Sequence, residues 1–542
     1  MAGDGPGMLY VTMEPREGLS LDQFHEWYNN EHGPTRLRLP HIFTNGLRYR
    51  ATDDQKPRFL AIYDVTSMSH LLTPIYTELR AHRSPREAAT ISQVDVDRKF
   101  LDLVDTHQSP LFAPIEQLTD AEAEGIVLVS VEVSLKPGVE GAEQAVIEWY
   151  RKEHLPMLSK IPGWLRSRIF RTPSAIEGGG EVRVITLHEY ARENGLGGPE
   201  HKAAMSTPWR DDIFSKYIAN KGRRTYELFY VFGPGPRELH ALSRLPPTAA
   251  FSTADGRIST TPGEKDAAIN AFVTTADGLN IPYRLEGNPS PGAPTVAFSN
   301  SLLTSMRMWD PLVAIIKEQR PDLRILRYDT RGRHDVPSPP VPANLDMLSD
   351  DLATLLSALR ITKLHALVGV SMGGATTLKF ALKYPDFLEK FIACDFNVAS
   401  SDANTAAWKD RIAVAEGPDG GIQKLAVATV ERWFHPHTMS EKQEIARWMT
   451  EMVASNSVQG FKYSCQALWN YDLREAMKAN TIPGMFVVGD GDGRGALVKA
   501  MEGFKGLLGP KGGAELKIVP QAGHLPMVES PEGFWQAVKD FL

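Results

Sequence analysis

The chain has 542 residues, 42% hydrophobic and 23% charged, with a formal net charge of −7. At roughly 100–250 residues per domain this predicts several soluble-type globular domains. A mild negative balance without a dense Lys/Arg tract argues against a nucleic-acid or acidic-membrane partner, the absence of long apolar runs excludes a membrane span, and two cysteines, Cys394 and Cys465, exclude a disulfide framework.

The opening MAGDGPGMLYVTMEP has no basic segment followed by an apolar one. No secretory signal is predicted, and with so few cysteines a cytoplasmic location is expected. MLYVTMEP alternates like a strand and leads into FHEWYNNEHGP. That segment has an echo, IEWYRKEHLP: Trp27, Tyr28, Glu31, His32 and Pro34 return as Trp149, Tyr150, Glu153, His154 and Pro156, all 122 positions later. The flanks repeat as well. GLRYR, FLAIYDV, LLTPIYTELRAHRS and VDRKFLDLVD follow the first copy; LRSRIFR, VRVITLHEYA, HKAAMSTPWRDDIF and RRTYELFYVF follow the second. Each unit reads β-α-β-β-α-β, the ferredoxin-like order, over 1–122 and 123–232. Helices cover one face of such a sheet and leave the other bare, so two copies can press their bare faces together.

The repeated turn is therefore read as architecture, with its histidine packing beside the tryptophan. HEWYNNEH does not satisfy H-E-x-x-H, and His25 and His32 stand about 10 Å apart along a helix, so no metal is expected there. Arg48 and Arg168 are either grips for an anion or solvated strand charges.

Residues 233–268, rich in Pro, Gly, Ser and Thr, read as a linker. From 269 to 542 short apolar runs (TVAFSN, LRILRYD, LHALVGVS, KFIACDF, GMFVVGD, AELKIVP) alternate with helix-length segments, which argues a mostly parallel α/β sheet. Residues of about 400–478 are largely helical and read as an inserted cap.

The chemistry lies in LVGVSMGGATTLKFA. Gly369-Val370-Ser371-Met372-Gly373 matches G-x-S-x-G between a strand and a helix, where Ser371 would sit on a sharp turn at a helix N-terminus. Side chains at positions 369 and 373 would collide in that turn. A nucleophilic serine needs a base, and the base an orienting carboxylate, here in the chain order Ser, Asp, His. FVVGDGDGRG offers Asp490 and Asp492. Asp492 is preferred because it stands further past the strand, with Asp490 as the strand-end alternative. IVPQAGHLPMVESPEGF supplies His524. The oxyanion donors are the backbone N–H groups of Met372 and of Leu302, in the Asn300-Ser301-Leu302 loop.

Taken together, SNSL…MWDP, LRYDTRG, GVSMGG, WKDRI (408–412), ERWF (431–434), YDLRE and AGHLPMVESPEGF make residues 269–542 resemble an α/β-hydrolase, specifically the 3-oxoadipate enol-lactonases. The family commonly reads R-G-H-G where this chain has Arg331-Gly332-Arg333-His334, and the acid loop GDGDGRG is unusually glycine-rich. The W-Y-x-x-E-H-x-P helix and the later R-Y make the N-terminal repeats resemble EthD-like domains of the dimeric α+β barrel superfamily. The expected fold is thus α+β, tandem ferredoxin-like repeats forming an intrachain barrel, followed by an α/β-hydrolase domain with a helical cap. The resemblance implies a serine hydrolase that opens a lactone or cleaves an ester of a small cyclic, aromatic-derived or polyketide-like acid through an acyl-enzyme, without cofactor or metal. Trp408 and Arg411, at i and i+3 of a cap helix, are candidate substrate contacts; a surface ion pair is the alternative for Arg411. The barrel offers a surface for homo-oligomerisation. Rival readings are a C–C bond hydrolase or secondary-metabolite tailoring enzyme using the same triad, and a small-molecule-binding barrel with an auxiliary hydrolase.

Overall fold

Alternation along the first strand accounts for the N-terminal half. In β1 (Gly7–Pro15), Met8 and Tyr10 belong to one apolar cluster and Leu9, Val11 and Met13 to another, and all five are buried. A strand buried on both faces needs a layer on each side. Here one layer is helical and the other is the opposite wall of a barrel. Strands β1, β2 (Leu47–Ala51), β3 (Phe59–Val65), β4 (Val94–Gln108), β5 (Val127–Leu135), β6 (Trp164–Thr172), β7 (Arg183–Tyr190) and β8 (Ile218–Val231) close in the order β1-β3-β2-β8-β5-β7-β6-β4. The longest strands make the seams between repeats. β4 pairs with β1 up to Asp102 and with β6 from Asp102 onward, while β8 pairs first with β5 and then with β2. Inward side chains of both repeats, among them Tyr10, Tyr49, Ile62, Leu128, Phe170 and Leu228, share one core. Each repeat keeps a separate core beneath its helices.

The computed structural model describes residues 3–248, 250–253, 255–418, 420–509 and 512–542, and only the backbone of Arg80. It divides into two units, Met1–Pro236 and Arg237–Leu542. No helix among the described residues is long and apolar enough to cross a membrane.

The repeated motif is a structural clasp. Helices Leu21–Trp27 and Ala142–Trp149 each run on into a π-helical turn, Tyr28–His32 and Tyr150–His154. The wider turn brings His32 to 4.9 Å from Trp27 and His154 to 4.5 Å from Trp149, ring centre to ring centre. The glutamate of each copy accepts the N-cap hydroxyl of a later helix: Ser84 Oγ donates to Glu31 at 2.5 Å and Thr207 Oγ1 to Glu153 at 2.6 Å. Neither strand arginine is solvated. Arg48, 0% exposed, lies 4.4 Å over the Tyr28 ring and 5.0 Å over Phe24 and Phe229, and donates to Asn29 Oδ1 at 2.7 Å. Arg168 is paired with Asp64 at 2.6 Å.

The second unit is built on a ten-stranded sheet. Its strands are β9 (Phe251–Ser252), β10 (Ser259–Thr261), β11 (Ala268–Thr274), β12 (Asn280–Gly287), β13 (Thr295–Ser299), β14 (Arg324–Tyr328), β15 (Ala366–Val370), β16 (Phe391–Cys394), β17 (Gly484–Gly489) and β18 (Glu515–Val519). Their order is β18-β17-β16-β15-β13-β14-β12-β11-β10-β9. The six from β18 to β14 run parallel, and the edge from β12 onward is antiparallel. The stretch read as a linker is structured in part: it holds the helix Leu239–Ser243 and strands β9 and β10, which extend the sheet from β11. Strands of two and three residues are too short to show a period in sequence. Between β16 and β17 the described residues form five α-helices, Asp402–Ala415, Gly421–Trp433, Pro436–Glu441, Gln443–Ala454 and Val458–Ser464.

Candidate active site

Parallel strands end at one edge of the sheet, and that edge collects the chemistry. Asn300 follows β13, Asp329 follows β14, Ser371 follows β15, Asp395 follows β16, Asp490 and Asp492 follow β17, and His524 follows β18.

Ser371 caps the helix Met372–Lys383 with φ 60° and ψ −117°, a conformation L-residues rarely hold. Its N–H donates to Cys394 O at 2.9 Å, tying the turn to β16. Two glycines make the turn fit. A Cβ at Gly369 would stand 2.2 Å from Gly373 O, and one at Gly373 would stand 2.1 Å from Ser299 O. The N–H groups of Met372 and Leu302 have no hydrogen-bond acceptor among the described residues, so both remain available to a developing oxyanion. The Leu302 loop is fixed from behind by Asn300. Its Nδ2 donates to Tyr328 O at 2.9 Å and its Oδ1 accepts from Trp309 Nε1 at 2.8 Å.

His524 Nδ1 lies 2.7 Å from Asp492 Oδ2. Asp490 is turned to another task, accepting the Ala522 N–H at 3.3 Å. Trp433 seats His524 twice: the His524 backbone N–H donates to Trp433 O at 2.7 Å, and the Trp433 ring stacks on the imidazole at 5.4 Å. Glu529, fully buried, holds the same loop. It accepts from Gly523 N at 2.8 Å, His435 N at 2.7 Å and Thr438 Oγ1 at 2.8 Å. Burial raises its carboxyl above the usual range despite these donors.

Two residues of this edge were missed in the sequence. Asp395 is 1% exposed and has φ 44°. Its Oδ1 accepts from Gly489 N at 2.9 Å, while Oδ2 is buried without an N–H or O–H donor. Burial, and then the adjacent Asp492 carboxylate, push its carboxyl well above the usual range. Single atoms of Asp395, Asp492 and His524 lie within 4.8 Å of one another, the one such group among the described residues with the donor types to hold a metal; its His–Asp contact has the length of a hydrogen bond. Arg432 is the second. Burial and the neighbouring Arg411 lower its pKa to about 10, while Asp492 pulls it the other way. Arg411 lies 4.4 Å over the Trp408 ring, the other candidate contact. No salt-bridge carboxylate meets Arg411 or Arg432 among the described residues. Arg333 binds Ser455 Oγ at 2.7 Å and so pins its loop to the helix Gln443–Ala454 and its C-terminal turn. His334 Nε2 meets Asp329 Oδ2 at 2.6 Å.

A family model described as the alpha/beta hydrolase family matches residues 291–537. The 3-oxoadipate enol-lactonase 2 of Acinetobacter baylyi is 29% identical over 266 residues, covering 49% of this chain and 94% of that protein. The 3-oxoadipate enol-lactonase 1 of the same organism is 31% identical over 222 residues, covering 41% of this chain and 79% of that protein. A crystal structure of the enol-lactonase from Burkholderia xenovorans LB400 covers 50% of this chain and 98% of its own, at 26% identity and a TM-score of 0.45. The chain belongs to the alpha/beta hydrolase family.

Proposed function

We propose that the protein opens a lactone, or cleaves an ester, of a small carboxylate-bearing acid, with Ser371 as nucleophile, His524 as general base and Asp492 as its orienting acid. The observation that carries this reading is the 2.7 Å contact of His524 with Asp492, at the sheet edge where Ser371 occupies a strained turn between two glycines.

His524 takes the hydroxyl proton as Ser371 Oγ attacks the carbonyl. Asp492, accepting from Nδ1, fixes the tautomer and stabilises the imidazolium. The oxyanion receives the Leu302 and Met372 N–H groups. The C–O bond breaks, His524 returns the proton to the leaving oxygen, and water activated by the same imidazole releases the acid. Burial and the neighbouring Asp492 carboxylate favour the neutral form of Asp395, which lessens the negative charge crowded beside the histidine. Arg411 and Arg432 meet the substrate carboxylate, since two neighbouring cations with no salt-bridge carboxylate among the described residues favour an anion between them.

The test is a matched pair: a carboxylate-bearing enol-lactone and its neutral methyl ester. The carboxylate should have the larger kcat/KM, and Ser371→Ala should abolish turnover of both. Equal kcat/KM for the pair removes the arginine assignment, and turnover by Ser371→Ala removes the mechanism.

A further inference from the structure

The two repeats superimpose their motifs but invert the charge beside the repeated histidine. In the first, Ser84 caps the helix Pro85–Ile91, and the residue donating its backbone N–H to that cap is Glu87. Glu87 accepts from His32 Nδ1 at 2.7 Å. Arg36 lies alongside, its Nη1 donating to His32 O at 2.6 Å, and the cavity left there is about 20 Å³. Its wall carries the acid Glu87 as well as the cations Arg36 and Arg83. In the second, Thr207 caps the helix Pro208–Tyr217, and the corresponding residue is Arg210. Position 158, which lies 122 residues beyond Arg36, is Leu158. A cation therefore replaces the carboxylate and a shorter apolar chain replaces the arginine.

What results is a cavity of about 40 Å³, lined by Trp149, His154, Leu158 and Phe214 and by the cations Arg210, Lys221 and Arg223, with no acidic residue in its wall. Lys221 and Arg223 have no carboxylate partner among the described residues, and Arg210 touches Asp211, which is 73% exposed, at 3.2 Å. Burial lowers the His154 pKa to about 3, with His188 and Arg210 adding to it. The imidazole stays neutral and adds no charge. At roughly 10–15 Å³ per probe-sized water position, the enclosed space takes a carboxylate head and not a larger body. Three converging cations over aromatic walls supply the charge-assisted donors that such a head requires.

We propose that the second repeat binds a small organic carboxylate, its head held by Arg210, Lys221 and Arg223 beside the Trp149–His154 turn. The site is independent of the serine chemistry.

The test is saturation-transfer NMR on the full chain with propionate, and propionamide as the neutral match. Propionate should bind and propionamide should not. Arg210→Glu, which restores the first repeat's acid beside the histidine, should weaken propionate about tenfold or more, the loss of one charge-assisted contact. Lys221→Gln, at an exposed strand position, decides the matter if Arg210→Glu fails to fold. Absent propionate binding, equal binding of propionamide, or propionate binding that Arg411→Gln removes and the repeat variants leave intact, would overturn the assignment.

Discussion

Both units bury histidines beside tryptophans, and the surroundings give them opposite uses. In the barrel, His32 and His154 sit under Trp27 and Trp149, 7% and 6% exposed. Burial holds their pKa values at about 4 and about 3. In the hydrolase unit, Trp433 also stacks on His524, but one imidazole nitrogen is held by Asp492 and the ring stays partly open. His32 also meets an acid, Glu87 at 2.7 Å, but within a buried wall that lowers its pKa, and His154 has none among the described residues; a partly open ring against a carboxylate at the end of a parallel sheet has the setting to move a proton. A repeated motif is therefore weaker evidence of catalysis than a single motif on a strained turn.

Ser371→Ala breaks the comparison hardest if it is wrong: lactone turnover should fall by roughly 10⁴-fold or more with the melting temperature unchanged. Asp492→Asn should cost about 10³–10⁴-fold, because the wrong tautomer is then favoured, while Asp490→Asn should change kcat by less than about threefold. Steady-state kinetics on the two variants separates the acids. Arg411→Gln or Arg432→Gln should raise KM for a carboxylate-bearing lactone about tenfold and leave its neutral ester unaffected. The barrel should answer in stability instead. Glu31→Ala removes the acceptor of Ser84 and a partner of Arg86 and should cost about 2 kcal/mol by denaturant unfolding, with kcat unchanged.

The smallest effect is a pH dependence of the barrel alone. His32, His154 and His188 are depressed from the ordinary 6.5 to about 4, about 3 and about 3 by burial first. Below about 6.5 the unfolded chain binds protons that the folded barrel refuses. Stability is therefore complete above that pH and declines as pH falls towards 4. Once the base-catalysed slowing of intrinsic exchange is divided out, strand peptides of residues 7–231 should lose hydrogen-exchange protection from pH 7.5 to 5, and His188→Gln should flatten the trend.

The sharp turn at Ser371 and the loop that carries His524 were legible because each rests on local geometry, a strand-turn-helix and a glycine loop after a strand. The barrel was legible because 122-residue spacing repeats a whole β-α-β-β-α-β order. Asp395 and Arg432 were not. Asp395 reaches Asp492 because β16 lies beside β17, and Arg432 reaches Arg411 because two cap helices pack. Adjacency in a sheet or a helix pair leaves no mark on the spacing of residues in the chain. Arg48 and Arg168 read as exposed or ligand-binding because an arginine in a strand does not announce the aromatic rings or the aspartate that bury it.

The central claim is that one hydroxyl in this chain, that of Ser371, is activated. Intact-mass spectrometry after a fluorophosphonate probe measures it directly. The account predicts a single adduct on the wild type, mapped to the peptide containing Ser371, formed more slowly in Asp492→Asn and absent in Ser371→Ala. An unlabelled wild type, or equal labelling of Ser371→Ala, would contradict it.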